Sequence, residues 1–317
     1  MSPESSLPNP SSVMESVLAD EWRRWICEAL IAGATPQSVL ESLMEENVPA
    51  DIARREIDVL ARALPAIAPF FQRMQQLLKL LAAQSPNYIA QRPLCSVAEF
   101  YDRYFTAFRP VLFSDGCERI TARQWSFANL KSRFGDIEID VGDRDPQRMR
   151  FGDALDAMSQ PNASPNLYIV SKNQVLRGPL AEMTKDLAPL PDFLHPEHAA
   201  PTANLWLGPA NTLSPLHHDT THVYFCQFLG RKRYRMIAPW HADVLRSHIR
   251  GRGDSDFGVD HPGDARVLQV IVEPGQALFI PAGFWHEVKS LEPSISVSFR
   301  AYPWDARFDW YNPAGFE

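Results

Sequence analysis

Cysteine is scarce in this chain and scattered. Cys27, Cys95, Cys117 and Cys226 are the only four in 317 residues, and no two stand close enough for a zinc knuckle, a redox motif or a disulfide framework. Reduced, structural thiols are the expectation. Long apolar runs are missing too: nothing approaches the roughly 18 residues that a membrane-spanning helix needs, so no membrane association is expected. The opening Met1-Ser2-Pro3-Glu4-Ser5 lacks the basic-then-apolar order of a secretory signal, and a cytoplasmic location is expected. Positive charge is also in deficit. Lys and Arg number 31 against 38 Asp and Glu, a net charge of −7, which disfavours the basic footprint of a nucleic-acid binder. The short run Arg231-Lys232-Arg233 does not change that balance.

What is present suits a globular protein. Hydrophobic residues make up 45% of the chain, enough to bury the core of one large unit with a smaller appendage. Residues 1–12 are rich in Ser and Pro and read as a disordered tail. From Val13 the apolar residues recur at helical spacing: Trp22, Trp25, Ile26 and Leu30, then Val39, Leu40, Leu43 and Met44. Gly33 divides the two groups, with Thr35 as N-cap and Pro36 at the first helical position. A further helix is predicted over Ile52 to Leu64, an interruption at Pro65 and Pro69, and a last helix from Phe70 to Ala83. Residues 13–86 therefore read as a helical module. Apolar faces on it would suit a homodimer.

After Pro93 the pattern becomes that of strands. Pro110 to Phe113, Ile137 to Val141 and Leu167 to Val170 are short apolar runs between turn residues, with a helix predicted from Ser96 to Ala107. The last third is denser: Val223 to Leu229, Tyr234 to Ile237, Val267 to Val272, Ala277 to Ile280 and Ile295 to Phe299. Such a series of short strands with Gly and Pro turns predicts a mainly β fold with helical additions, its centre a jelly roll of cupin type. Residues 305–317 form a C-terminal tail, in which Arg307-Phe308-Asp309-Trp310-Tyr311 either joins an interface or folds back.

The chemistry concentrates at Ser214-Pro215-Leu216-His217-His218-Asp219. In an extended strand, residues two apart share a face, so His217 and Asp219 converge and His218 points away. Downstream, Glu273-Pro274-Gly275 opens a turn and strand that end at Pro281-Ala282-Gly283-Phe284-Trp285-His286. A closed barrel can set His286 opposite the first pair. Two histidines and a carboxylate on one face of an octahedron leave three positions open, the arrangement of non-haem Fe(II) oxygenases. Zinc is the rival on ligand identity alone; the downstream block and its spacing favour iron. His218 and His222 read as flanking residues. His195, His198, His241, His248 and His261 read as surface residues in polar loops.

Pro215-Leu216-His217-His218-Asp219, Gln227-Phe228-Leu229-Gly230-Arg231-Lys232-Arg233 and Pro281-Ala282-Gly283-Phe284-Trp285-His286 together resemble the Jumonji C (cupin-like) family of 2-oxoglutarate oxygenases, in particular the small hydroxylase branch that includes the asparaginyl hydroxylase of hypoxia-inducible factor. The resemblance covers residues 95–304. It implies a double-stranded β-helix, Fe(II), 2-oxoglutarate as cosubstrate and molecular oxygen. It implies a cosubstrate-binding lysine at Lys232, a hydroxyl at Ser214 three residues before the first ligand, and a tyrosine on an earlier strand, for which Tyr168 is the candidate. Physics agrees for Lys232, because a carboxylate inside an apolar barrel requires a cationic partner. Trp206, two positions beyond Asn204, is a candidate for lining the same cavity.

The chain departs from that branch at two places. Val223 stands where an asparagine often follows the first ligand, and Ser296-Val297-Ser298-Phe299-Arg300 replaces another asparagine on the last core strand. The polar lining is expected to be lost there, leaving Arg300 either near the cosubstrate or against an acidic group. The reaction implied is oxidative decarboxylation of 2-oxoglutarate to succinate and carbon dioxide, coupled to hydroxylation of a C–H bond. A peptide or protein substrate is favoured and a small molecule is the alternative. N-methyl-lysine demethylation ranks lower, since the chain shows no reader or zinc module. A non-catalytic cupin-like metal-binding protein is the reading from a different class.

Overall fold

The structure is a computed structural model that describes residues 13–14, 17–18, 20–31, 33–142, 146–241 and 266–304. The tail expected over 1–12, His248, His261 and the segment 305–317 lie outside the described residues. The chain forms two compact units, one built on the residues up to Ser85 and the other beginning at Pro86. Among the described residues no helix is long and apolar enough to cross a membrane.

In the first unit, β1 (Val13–Met14) and β2 (Val17–Leu18) form a small antiparallel pair ahead of α1 (Asp20–Ile31), α2 (Pro36–Glu45) and α3 (Ala50–Gln84). Thr35 caps α2 as its sequence suggests: its hydroxyl accepts from the Ser38 amide at 3.1 Å, and Pro36 needs no partner at the first helical position. Trp22, Ile26, Val39, Leu43 and Ala53 are buried together in one core. The predicted break at Pro65 and Pro69 does not occur, and α3 runs unbroken through both prolines. Each removes a hydrogen bond to a carbonyl one turn back. Both prolines are exposed, so water can serve the carbonyls they leave unbonded.

The second unit begins with β3 (Ala90–Arg92), α4 (Val97–Phe100), β4 (Val111–Phe113), α5 (Phe127–Phe134), β5 (Glu138–Val141), β6 (Gln147–Arg150) and α6 (Phe151–Met158). The helix predicted over Ser96 to Ala107 is α4 followed by a wider, π-type turn over Tyr101–Phe105. Leu167 to Val170 is not a strand; Ile169 alone bridges Leu207. The strands that follow are β7 (Asn204–Gly208), β8 (Leu213–His218), β9 (Val223–Leu229), β10 (Lys232–Ile237), β11 (Val267–Val272), β12 (Ala277–Ile280), β13 (Trp285–Ser290) and β14 (Ser294–Phe299).

These strands build two sheets, in the orders β11-β10-β13-β8 and β3-β4-β12-β9-β14-β7. The smaller sheet alternates: Leu268, Val270 and Val272 are buried while Gln269 and Ile271 are exposed, as expected for a sheet with one face on a core and one toward water. In the larger sheet, β9, β12 and β14 are buried on nearly every residue. One face of it, with Tyr224, Cys226, Phe279, Val297 and Phe299, shares a core with Phe100, Phe113, Leu130 and Phe151. Its other face carries Ser296 and meets Lys232 of the smaller sheet across the lumen.

The order of strands, antiparallel apart from β3 with β4, is that of the jelly-roll core predicted from the sequence.

Candidate metal and cosubstrate site

His217 is the last residue but one of β8, and His286 lies directly opposite it in the β8–β13 register. Asp219 follows one residue beyond the strand. Ligand atoms of His217, Asp219 and His286 all lie within 4.8 Å of one another, so the strand geometry brings together the three residues expected to converge. His218 turns the other way and packs edge-on against Trp285, with ring centroids 4.6 Å apart.

Backbone carbonyls set the form of both imidazoles. His217 Nδ1 lies 2.7 Å from the Pro215 oxygen, and His286 Nδ1 lies 2.9 Å from the Phe284 oxygen. A carbonyl only accepts, so each Nδ1 carries the proton and each Nε2 presents a lone pair. Burial and the neighbouring His217 hold His286 down to a pKa of about 3, so its ring stays neutral at ordinary pH. His286 Nε2 and Asp219 Oδ2 are both buried without a hydrogen-bond partner and stand 3.8 Å apart. A lone pair and a carboxylate oxygen facing each other with no proton between them is an arrangement that a bound cation resolves. The donor set fits Fe(II) with open positions.

The loops carrying the ligands are tied to each other. Gly283 donates its amide to the Asp219 carbonyl at 2.8 Å, joining the two ligand-bearing segments. The Ala282 amide donates to His222 Nδ1 at 3.1 Å. His222, read from sequence as a flanking residue, is buried and packed on Phe105 at 4.2 Å, and its pKa is pushed down to about 4 by that burial. His198 is exposed, and His195 is partly buried, its Nδ1 accepting the Glu197 and His198 amides at 3.2 Å.

Lys232 begins β10, and Met236 of the same strand is opposite His286. Four residues separate the two rows, roughly 13 Å at ~3.3 Å per residue. The turn before Lys232 depends on Gly230, whose φ is +66° and whose missing Cβ would fall 2.2 Å from the Pro293 carbonyl oxygen. Lys232 is 1% exposed. Its ammonium donates to Ser296 Oγ at 2.7 Å and lies 5.6 Å from the Tyr168 ring centre. Burial alone pulls its pKa down to about 7, the mark of a cation kept from water without an anion beside it. Tyr168 reaches this place because Gly208 lets it: a Cβ there would sit 2.8 Å from its ring.

Ser214 requires a further device. Three residues from His217, it should point to the opposite face of a regular strand. The register shifts between His286 and Val288, so that Pro215 and Leu216 together oppose Glu287. This β-bulge returns Ser214 to the face of His217, and a proline is tolerated at such a point.

The predicted loss of polar lining is corrected by β14. Ser296 holds Lys232, and Ser298 accepts from Trp206 Nε1 at 2.9 Å. Only Val223 is the apolar replacement it appeared to be, and it is fully buried. Arg300 stands at the metal end and away from Lys232: its Nη2 donates to Asp219 Oδ1 at 2.9 Å, which leaves Oδ2 as the free donor. Sequence reasoning named Ser296, Ser298 and His222 but gave none of them a supporting role. The alternation Ser294, Ser296, Ser298 against Ile295, Val297, Phe299 was the available signal for the serines.

Residues 97–309 match a family model described as a cupin-like domain. Among curated proteins, the chain is 33% identical over 105 residues to "JmjC domain-containing protein D" of Dictyostelium discoideum, covering 30% of this chain and 23% of that one. It is 38% identical over 109 residues to "Jumonji C domain-containing protein 5" of Drosophila melanogaster, covering 30% and 26%. It is 27% identical over 231 residues to "Lysine-specific demethylase 8" of Xenopus tropicalis, covering 64% and 50%. The chain thus spans from about a quarter to half of the length of these relatives.

Proposed function

This chain belongs to the cupin-like domain family, and from that membership we propose that it works as an Fe(II)- and 2-oxoglutarate-dependent oxygenase that hydroxylates a side chain of a peptide or protein. The observation that carries the reading is the pair of buried, unpartnered atoms His286 Nε2 and Asp219 Oδ2 at one end of a lumen whose other end holds a buried lysine.

His217, Asp219 and His286 would hold the metal. Bound iron, with 2-oxoglutarate and oxygen, supplies the oxidising power: one oxygen atom enters the substrate C–H bond, the other enters succinate, and carbon dioxide leaves. The chain's own residues do the rest. Lys232 takes the distal carboxylate of the cosubstrate, and Ser296 orients the ammonium. Ser214 adds a hydroxyl from the same face as His217. Arg300 steers the Asp219 carboxylate by occupying Oδ1. Val223, Leu278 and Ile280, all buried, keep water from the lumen. No side chain is required as a general base.

The names of the lysine-specific demethylase relatives favour a second reading, N-methyl-lysine demethylation, which begins from the same C–H oxygenation. Anaerobic addition of Fe(II) and 2-oxoglutarate should give a weak visible charge-transfer band, and oxygen should then yield succinate. His217→Ala should lose both. Mass spectrometry of a converted peptide separates the readings: one added oxygen atom supports hydroxylation, whereas a lost methyl group with formaldehyde supports demethylation.

A further inference from the structure

Beside Arg300 opens a cavity of about 350 Å³ lined by Ser171, Lys172, Arg177, Asn204 and Arg300 among others. Among the described residues no acidic side chain lines it. It lies at the metal end of the lumen, since Arg300 bonds the metal-facing Asp219. Asn204 continues it inward, opposite Ser298 and two residues from Trp206 on the same face of β7. Arg177 is held at the rim: its Nη2 donates to the Thr202 carbonyl at 3.1 Å and to Asn204 Oδ1 at 3.2 Å. Those bonds fix the guanidinium plane. Arg300 Nε is buried, and among the described residues it has no partner.

The charges in a loaded site point one way. Asp219 and a dianionic cosubstrate balance a divalent metal and the Lys232 ammonium. Arg300, bonded to Asp219 through Nη2, and Arg177, which has no ion pair among the described residues, then leave net positive charge around the cavity. A desolvated anion is stabilised there by charge-assisted hydrogen bonds in a planar fork. An ammonium group, methylated or not, meets like charge instead.

We propose that this cavity receives the primary substrate and takes an anionic side chain, the carboxylate of an aspartate or glutamate residue in a peptide. The carboxylate sits between Arg177 and Arg300, and an adjacent C–H bond is carried toward the metal end. The inference rests on the oxygenase reading above. Oxygen and 2-oxoglutarate supply the oxidation as already balanced, and the peptide carboxylate leaves unchanged.

The test uses the full chain with Fe(II) and 2-oxoglutarate under anaerobic conditions and a set of alanine-based peptides that differ only in a central Asp, Glu, Gln, Lys or trimethyl-lysine. Titration calorimetry should show the acidic peptides binding at least roughly tenfold more tightly than the Gln and Lys peptides. Arg177→Glu, at an exposed position, should reverse the order of the Glu and Lys peptides, and Lys172→Glu should weaken the acidic ones several-fold. Equal binding of all peptides, or preference for the Lys or trimethyl-lysine peptide, overturns the inference. So does a swap that weakens 2-oxoglutarate and leaves peptide binding unchanged, because the cavity would then belong to the cosubstrate. The charge-transfer band separates the two claims: if it is absent the oxygenase reading falls and this inference with it, whereas a band without acidic preference removes this inference alone.

Discussion

The two sheets of the barrel divide the labour unequally. The four-stranded sheet supplies the groups that would touch metal and cosubstrate directly: His217 and Ser214 on β8, His286 on β13 and Lys232 on β10. The six-stranded sheet and its continuation supply groups that hold ligands in place: Ser296 under Lys232 and Arg300 on Asp219. β14, which carries Ser296, is buried on every residue and β13 around His286 on nearly every one, whereas β8 and β10 keep partly exposed positions. A support that must not move is best placed where packing is closed on every side.

Breaking a direct ligand should have the largest effect. His286→Ala is expected to abolish iron binding and succinate formation, and retention of even a tenth of wild-type turnover would remove it from the ligand set. Next comes Lys232→Met, which takes the charge from the far end of the lumen. Losing one partner of a buried ion pair costs about 3–5 kcal/mol, so the KM for 2-oxoglutarate should rise roughly 10²- to 5 × 10³-fold while iron still binds.

Supports should matter less. Arg300→Gln and Ser296→Ala are each expected to lower metal or cosubstrate affinity roughly 10- to 100-fold, the usual effect of removing an outer partner. Equality with His286→Ala in a side-by-side titration would erase the distinction between the sheets. A pH series sharpens it further. Lys232 is held near 7 against an ordinary value of 10.5. Between those values the unfolded chain binds more protons, so the stability of the ligand-free protein rises as pH climbs from about 7. The bound dicarboxylate favours the charged lysine, so its affinity should fall over the same interval, and Lys232→Met should flatten both trends. The smallest effect belongs to the exposed Arg231–Glu292 pair, 2.6 Å apart beside the Gly230 turn. Arg231→Ala should leave the midpoint of chemical denaturation essentially where it is, since the turn rests on Gly230.

This contrast also explains what could be read in the sequence. Val267 to Val272 was legible as a strand because it is a short run rich in β-branched residues ahead of the Pro274-Gly275 turn. The metal triad was legible because His217, His218 and Asp219 are adjacent in the chain and strand periodicity sorts them. The supports were hidden because each acts on a residue far away: Ser296 on Lys232, 64 positions earlier, and Arg300 on Asp219, 81 earlier. A serine stripe reads as a wet face unless a second sheet is known to cover it. His222 was missed because its partner is a backbone amide of the other ligand loop, and spacing carries no trace of that. In α3, Pro65 and Pro69 signalled a stop that an exposed helix face, open to water, does not enforce.

The bulge at Pro215 and Leu216 makes the motif a ruler with one extra division. Deleting either residue would shorten the interval to two and straighten the strand, with Ser214 still on the face of His217 and still opposite Val288. The interval between hydroxyl and first ligand is therefore an odd number for a geometric reason. A chain in which that interval is even would need a straight strand there, and the two kinds can be told apart by counting residues.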